Sequence, residues 1–325
     1  MTRKNGYSFD ETAKLCYEKF VEKGSVLLIV NTKKAAEEIY RRVKRMVVSS
    51  EHLLLHLSTK MCPEHRRDVL KKLRDALEND KPVICITTQL IEAGVDVSFR
   101  CVIRSLAGLD NIAQAAGRCN RNGKYPCSDV YVINISEEQL GQLKEIESSQ
   151  RSTRELLYNS PEDIMSTESM SQYYRILFRE RSKEFSYPVY DLSIKTDLMD
   201  MLTYSKVRRG LNKGTLPTFT HCPKTAGELF KVIDNNTRSV VVPYNDEAKE
   251  LILQFTSEEH NKDISNIMRK AQKYIIELYA SDERKLSEEG ALRFTEYGVA
   301  VLSEEYYRDE YGVTLEAGLK EALIY

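Results

Sequence analysis

The sequence predicts an α/β protein: a parallel β-sheet flanked by helices, then a helical segment, then a smaller α+β part. Three observations predict it. Short apolar runs alternate with helix-period segments through the first 135 residues. The first of these runs is continuously apolar, as a strand buried on both faces should be. From about residue 141 the alternation gives way to polar, charged, helix-like sequence.

"SVLLIVN" (Ser25–Asn31) is the first strand, and "TKKAAEEIYRRVKRM" (Thr32–Met46) follows with Ala35, Ile39, Val43 and Met46 at helical spacing. "HLLLHL" (His52–Leu57) is a second strand. "PEHRRDVLKKLRDALEND" (Pro63–Asp80) is a helix with Pro63 suited to its first turn. "PVICITT" (Pro82–Thr88) and "CVIRS" (Cys101–Ser105) are the third and fourth strands. "DNIAQAAGRC" (Asp110–Cys119) is a helix, and "DVYVINI" (Asp129–Ile135) closes the series. Repeated β-α-β units imply a parallel sheet with helices on both faces. Residues 141–220 read as a helical linker between domains. In 221–325, "RSVVVPY" (Arg238–Tyr244), after an Asn-Asn turn, and "YGVAVL" (Tyr297–Leu302) read as strands. "ISNIMRKAQKYIIELY" (Ile264–Tyr279) reads as one amphipathic helix. The expected domains are therefore 1–140, 141–220 and 221–325.

At 325 residues the chain is long enough for two cores. Its 42% hydrophobic and 30% charged residues exclude disorder. The net charge is −1, so any nucleic-acid contact must come from local patches. No apolar run is long enough to span a bilayer, and "MTRKNGYSFDE" has no apolar signal region. Seven dispersed cysteines without a Cys-x-x-Cys pair suggest reduced thiols in a cytoplasm, and no zinc or other metal site is expected.

Polar clusters follow each strand of the first unit, where ligands of open parallel sheets bind. Asn31 and Thr32 follow the first strand; His56, Thr59 and Arg66 lie in and after the second. Thr87, Thr88, Gln89, Glu92, Gly94 and Asp96 follow the third, and Gln114, Gly117, Arg118 and Arg121 the fourth. All four clusters are expected on one edge of the sheet. Arg118 and Arg121, three apart, lie on nearly one helical face, and two adjacent cations suit an anion.

"TTQLIEAGVDV" followed by Gln-x-x-Gly-Arg-x-x-Arg at Gln114–Arg121 resembles motifs V and VI of superfamily 2 helicases. "LLIVNTKKAAEEIYRRV" and "LLLHLSTKMCPEHR" resemble motif IV and the segment after it. The wording "SLAGLDNIAQAAGRCNRNG" is similar to the CRISPR-associated helicase-nuclease of type I systems. "AGELFKVIDNNTRSVVVPY" and "GVAVLSEEYYRDEYGV" resemble that family's C-terminal domain. The resemblance implies a second RecA-like domain, with ATP and its Mg²⁺ bound mainly by a first domain supplied in cis or in trans. It implies that Arg118 and Arg121 reach the ATP phosphates with Gln114 orienting them. Gly94 and Asp96 would then lie at the nucleotide. Asn31, Thr32, His56, Thr59, Arg66, Thr87, Thr88 and Gln89 would lie at single-stranded DNA. The implied partner is an RNA-guided CRISPR surveillance complex.

No Gly-x-x-x-x-Gly-Lys-Ser/Thr, no Asp-Glu-x-His box and no His-Asp dipeptide occurs in the sequence. The likeness thus covers the enzyme's second half, and the chain alone is expected to be inactive and to hold no cofactor tightly. Two readings stand: a motor half, or a non-catalytic DNA-binding or docking remnant. A helicase half outside CRISPR is a third. Each site residue also has a plain alternative: solvated arginines at 118 and 121, an ordinary loop at 94–96, a strand end at 87–88, a buried core histidine at 56. The basic run Arg41, Arg42, Lys44 and Arg45 reads as a solvated helix face. Lys206–Gly214 reads as an exposed basic loop.

Overall fold

The computed structural model describes residues 6–47, 52–141, 143–159, 161–189, 196–198, 202, 223–230, 237–256 and 264–315. The Asn-Asn turn before Arg238 and the Lys206–Gly214 loop lie outside them.

Ser8 starts the first element. Its hydroxyl accepts from the Glu11 amide while the Glu11 carboxylate accepts from the Ser8 amide, a capping box that opens helix α1 (Phe9–Lys23). Phe9, Ala13, Cys16 and Phe20 form its buried stripe, and Gly24 ends it at φ 80°. No element is expected before Ser25 from apolar spacing, and the Ser-x-x-Glu pattern at Ser8–Glu11 is the signal for this one.

The predicted series follows within a few residues: β1 (Ser25–Ile29), α2 (Lys33–Met46), β2 (Leu53–Leu57), α3 (Pro63–Glu78), β3 (Val83–Thr87), β4 (Cys101–Ser105), α4 (Leu109–Ala116) and β5 (Asp129–Ile133). The five strands form one parallel sheet in the order β2-β3-β1-β4-β5. Alternate residues of β1 serve opposite faces. Val26 and Leu28 pack with α1 and α2, while Leu27 and Ile29 pack with α3. This double burial explains the unbroken apolar run. The chain enters and leaves this unit side by side: the Tyr7 amide donates to the Asn134 carbonyl (2.7 Å) and the Ser136 amide to the Tyr7 carbonyl (2.9 Å).

Helices α5 (Lys144–Tyr158) and α6 (Thr167–Glu180) pack on each other and on α4 through Leu109, Leu156, Tyr173 and Ile176. Gln150 and Thr153 of α5 donate to the Leu106 and Ala107 carbonyls, tying it to the turn after β4. A short antiparallel pair, β6 (Pro188–Val189) with β7 (Thr196–Asp197), follows.

The later region forms a mixed four-stranded sheet, β10-β11-β8-β9. It comprises β8 (Thr237–Val241), β9 (Ile275–Tyr279), β10 (Leu292–Phe294) and β11 (Ala300–Leu302). Around it lie α8 (Asp246–Thr256), α9 (Ile264–Ala271) and α10 (Ala280–Glu288), with α7 (Pro223–Leu229) before it. The single helix expected over 264–279 is corrected here: α9 ends at Ala271 and a 3₁₀ turn leads into β9. In β9 Ile276 and Leu278 are buried while Glu277 and Tyr279 are exposed, a period of two that overlapped a helical spacing.

This second core includes Cys62 from the first unit. The Tyr307 hydroxyl accepts from the Cys62 amide (3.1 Å), Tyr244 donates to Asp68 (2.8 Å), and the Val313 amide donates to the Lys60 carbonyl (2.9 Å). Gly312, in the antiparallel pair β12 (Tyr307–Arg308) and β13 (Gly312–Val313), has φ +81°, and a Cβ there would collide with the Lys60 carbonyl. Gly312→Ala therefore meets both left-handed strain and a backbone clash. It is expected to cost roughly 2–4 kcal/mol in chemical denaturation. A variant as stable as the parent would show that this contact is not close-packed.

Candidate functional site

At the carboxyl edge of β1 the chain passes through Asn31 and Thr32 into α2. Thr32 is the N-cap, its hydroxyl oxygen accepting from the Ala35 amide. The amides of Asn31 and Thr32 both donate to Glu138 Oε1, at 2.6 and 2.9 Å. Asn31 Nδ2 donates to Glu138 Oε2, Ser105 Oγ and the Leu106 carbonyl. Its Oδ1 accepts from Arg104 (2.8 Å).

Arg104, on β4, is fully buried. It also donates to the Ser105 carbonyl, and its Nε lies 2.8 Å from Glu92 Oε1, an ion pair off hydrogen-bond geometry. Burial holds the Arg104 guanidinium below its usual pKa, with Glu92 and Glu138 pulling the other way. Burial likewise raises the Glu92 carboxyl, and Arg104 and Asn111 oppose the rise. Asn111, on α4, donates to the other Glu92 oxygen (2.9 Å). One buried polar network therefore joins the ends of β1 and β4, the segment after β5 and the turn after β3.

Arg118 is buried, and its guanidinium donates to the Ile91 (3.0 Å) and Glu92 (2.7 Å) carbonyls. Burial first, then the neighbouring Arg121, depresses its pKa. Arg121 is 46% exposed and pairs with the exposed Asp96 at 2.8 Å, near Gly94 at φ +73°. Gln114 is exposed on α4.

Several expectations need correction. The clusters do not share one edge. The Phe99 amide donates to the Arg118 carbonyl and the Asn120 amide to the Phe99 carbonyl, so the chain past α4 lies beside the residues entering β4. From there Arg118 reaches the turn after Gln89 only through the Ile91 and Glu92 carbonyls, and Arg121 pairs with Asp96 further along that segment. His56 is 2% exposed and in edge-on contact with Tyr40, the position of a buried core histidine. Thr87 is fully buried with its hydroxyl bound to the Thr88 carbonyl. The donors of Asn31 and Thr32 are engaged within the chain. Thr59 is exposed, Arg66 and Gln89 are half-buried, and Thr88 is buried. The basic face of α2 is paired rather than merely solvated: Arg41 with Glu37, Arg42 with Glu38 and Asp10, Lys44 with Glu310. Reading the sequence missed Arg104 and Glu138. A charged residue inside "CVIRS" was the available signal for the first; the second had none.

The sequence model of the family described as CRISPR-associated nuclease/helicase Cas3, C-terminal, matches residues 22–124. Over those residues the chain is similar to the C-terminal part of Cas3 nuclease/helicases. A CRISPR-associated nuclease/helicase Cas3 from Haloferax volcanii is 48% identical over 67 residues, 20% of this chain and 7% of that protein. One from Methanothermobacter thermautotrophicus is 28% identical over 115 residues, 35% of this chain and 13% of that protein. The crystal structure of T. fusca Cas3 with AMPPNP superposes with a TM-score of 0.59 at 15% identity, over 96% of this chain and 41% of that one. A chain of a pre-nicking CRISPR RNA-guided surveillance complex gives 0.53 at 13%, over 97% and 43%. The RecA-like fold is therefore shared, and the chain spans about two fifths of those solved Cas3-like chains. Among the described residues no helix is long and apolar enough to cross a membrane, and the six described cysteines form no disulfide.

Two buried histidines set a pH dependence. Burial, with Lys60 and His65 adding to it, pushes His56 down to about 3. Burial also pushes His65 down to about 4. His65 accepts from Tyr307 at Nδ1 and donates from Nε2 to the Asp309 carbonyl, the neutral tautomer. Both folded pKa values lie below the unfolded one, so the unfolded chain takes up protons first as pH falls. Stability is complete above about pH 6.5 and declines below it, by up to about 1.4 kcal/mol per pH unit for each histidine. His56→Phe should flatten the decline between pH 6 and 5, read by denaturant titration at each pH. An unchanged slope would show that His56 protonates without unfolding.

Proposed function

We propose that this chain is the second motor half of an ATP-dependent single-stranded DNA translocase acting in type I CRISPR interference. The observation that supports it most is the division of labour between the two arginines. Arg118 is spent on the carbonyls of the Gln89–Glu92 turn, while Arg121 keeps a half-exposed guanidinium held by the surface Asp96 and by a long contact to the Gly117 carbonyl (3.5 Å). A nucleotide phosphate can take Arg121 from Asp96 at little cost, because exposed ion pairs are weak. The guanidinium suits that task, being always charged and bidentate. The reading assigns Gly94 and Asp96 to the neighbourhood of the nucleotide and Gln114 to the exposed flank of α4. ATP and Mg²⁺ would be held mainly by a first RecA-like half carrying the phosphate loop, and the isolated chain would not turn ATP over. Thr59, Arg66, Thr88 and Gln89 are the strand-end residues left for DNA backbone contact, which positions a strand without reading its sequence. An RNA-guided surveillance complex is the partner this reading implies, as the pre-nicking relative suggests.

The test supplies a first half in trans or by fusion. ATPase activity should then appear, and Arg121→Ala should remove most of it, about 10³–10⁵-fold in turnover, or roughly 4–7 kcal/mol. Arg121→Lys should rescue poorly, and melting temperatures should hardly move. Single-turnover rates for the three proteins decide it. Near-normal turnover in Arg121→Ala would overturn the phosphate-facing assignment and leave the docking reading.

A further inference from the structure

We infer that Glu138 and Arg104 are positioning residues that lock the Asn31–Thr32 turn to the Gln89–Glu92 turn, so that the carboxyl-edge group and the Arg118–Arg121 corner shift as one body. The inference deepens the motor reading and takes its functional meaning from it. Three observations carry it. Glu138 lies 107 positions along the chain from Asn31, yet its carboxylate takes both backbone amides at the start of α2 and the Asn31 side chain. A carboxylate at a helix N-terminus is favoured by the helix dipole, so this clamp is strong as well as specific. Arg104 then spans the gap, with one nitrogen on Asn31 and another beside Glu92. An apolar residue would pack that position more cheaply than a buried ion pair. What the ion pair supplies in return is a fixed geometry between two turns. Finally, Glu92 is shared. Its carboxylate meets Arg104 and Asn111, and its carbonyl meets Arg118. A displacement at either end must rearrange a chain of buried and half-buried partners, and the fully buried Arg104 at its middle has no bulk water to replace a lost one.

The test uses the full chain. Hydrogen exchange is followed by mass spectrometry in peptides spanning 29–34 and 88–95, for the parent, Glu138→Ala, Glu138→Gln and Arg104→Lys. Glu138→Ala should speed exchange in both turns, including 88–95, which its side chain does not touch, and Arg104→Lys should speed it in the two turns that Arg104 bridges, each by roughly 2- to 30-fold. Glu138→Gln, which keeps the shape and loses the charge, should fall between. Acceleration confined to the turn directly contacted would overturn the coupling, and so would acceleration spread evenly over the chain, the mark of general destabilisation. Affinity for a labelled oligothymidylate, measured at two salt concentrations, supplies the functional arm. Both variants should bind more weakly with the parent's salt dependence, because neither side chain touches a phosphate. Loosened turns with unchanged affinity would also overturn the proposal. A parent chain that binds no oligonucleotide would fault the motor reading instead, and the exchange data would still decide the coupling.

Discussion

A guanidinium at the centre of a parallel sheet is the constraint on which this unit turns. Arg104 sits on β4, next to the central strand, with no exposure to solvent. Withdrawing such a charge from water costs several kcal/mol unless its partners are well placed. Here the partners come from its own strand, at Ser105, and from three separate segments: Asn31 after β1, Glu92 after β3, and Glu138, after β5, through Asn31. Pairing one side chain therefore dictates where three turns must lie. The apolar runs bring the strands together, but they would tolerate small shifts between layers. The polar network does not, because a displaced partner leaves a buried donor unpaired.

The second unit is joined to the first by a different principle. Its apolar core takes in Cys62, and around that thiol lies a ring of aromatic and polar contacts. His65 stacks on Tyr244 at 4.3 Å, and Tyr307 reaches both Cys62 and His65. The start of α3 is thus covered by residues more than 170 positions later in the chain, since Tyr244 bonds Asp68. This cover fixes the segment that carries Thr59 and Arg66.

Elements with one strong period were legible from the sequence. β1, β3, α2 and α3 follow from apolar spacing alone, and the Gln-x-x-Gly-Arg-x-x-Arg pattern located the two arginines. What the pattern could not separate was their roles. Both are arginines at helical spacing, and only the fold turns Arg118 inward to the Ile91 and Glu92 carbonyls and leaves Arg121 at the surface. His56 was misplaced for a related reason: a strand-end position says nothing about which face of the sheet a side chain meets. Residues 264–279 failed because Ile267, Ala271 and Leu278 fit a helix while Ile276 and Leu278 equally fit a strand. Glu138 could not be found at all, since its importance rests on contacts more than 100 residues away.

The pairing of Tyr7 with Asn134 and Ser136 gives the first unit an unusual attachment to the rest of any chain that contains it. Its two connections leave from a single spot, like the two cords of a pendant. Adjacent ends of this kind are what domain insertion and circular permutation require. The placement of a unit so hung is set by what packs against its flanks, chiefly α5 and the second core, rather than by the covalent path.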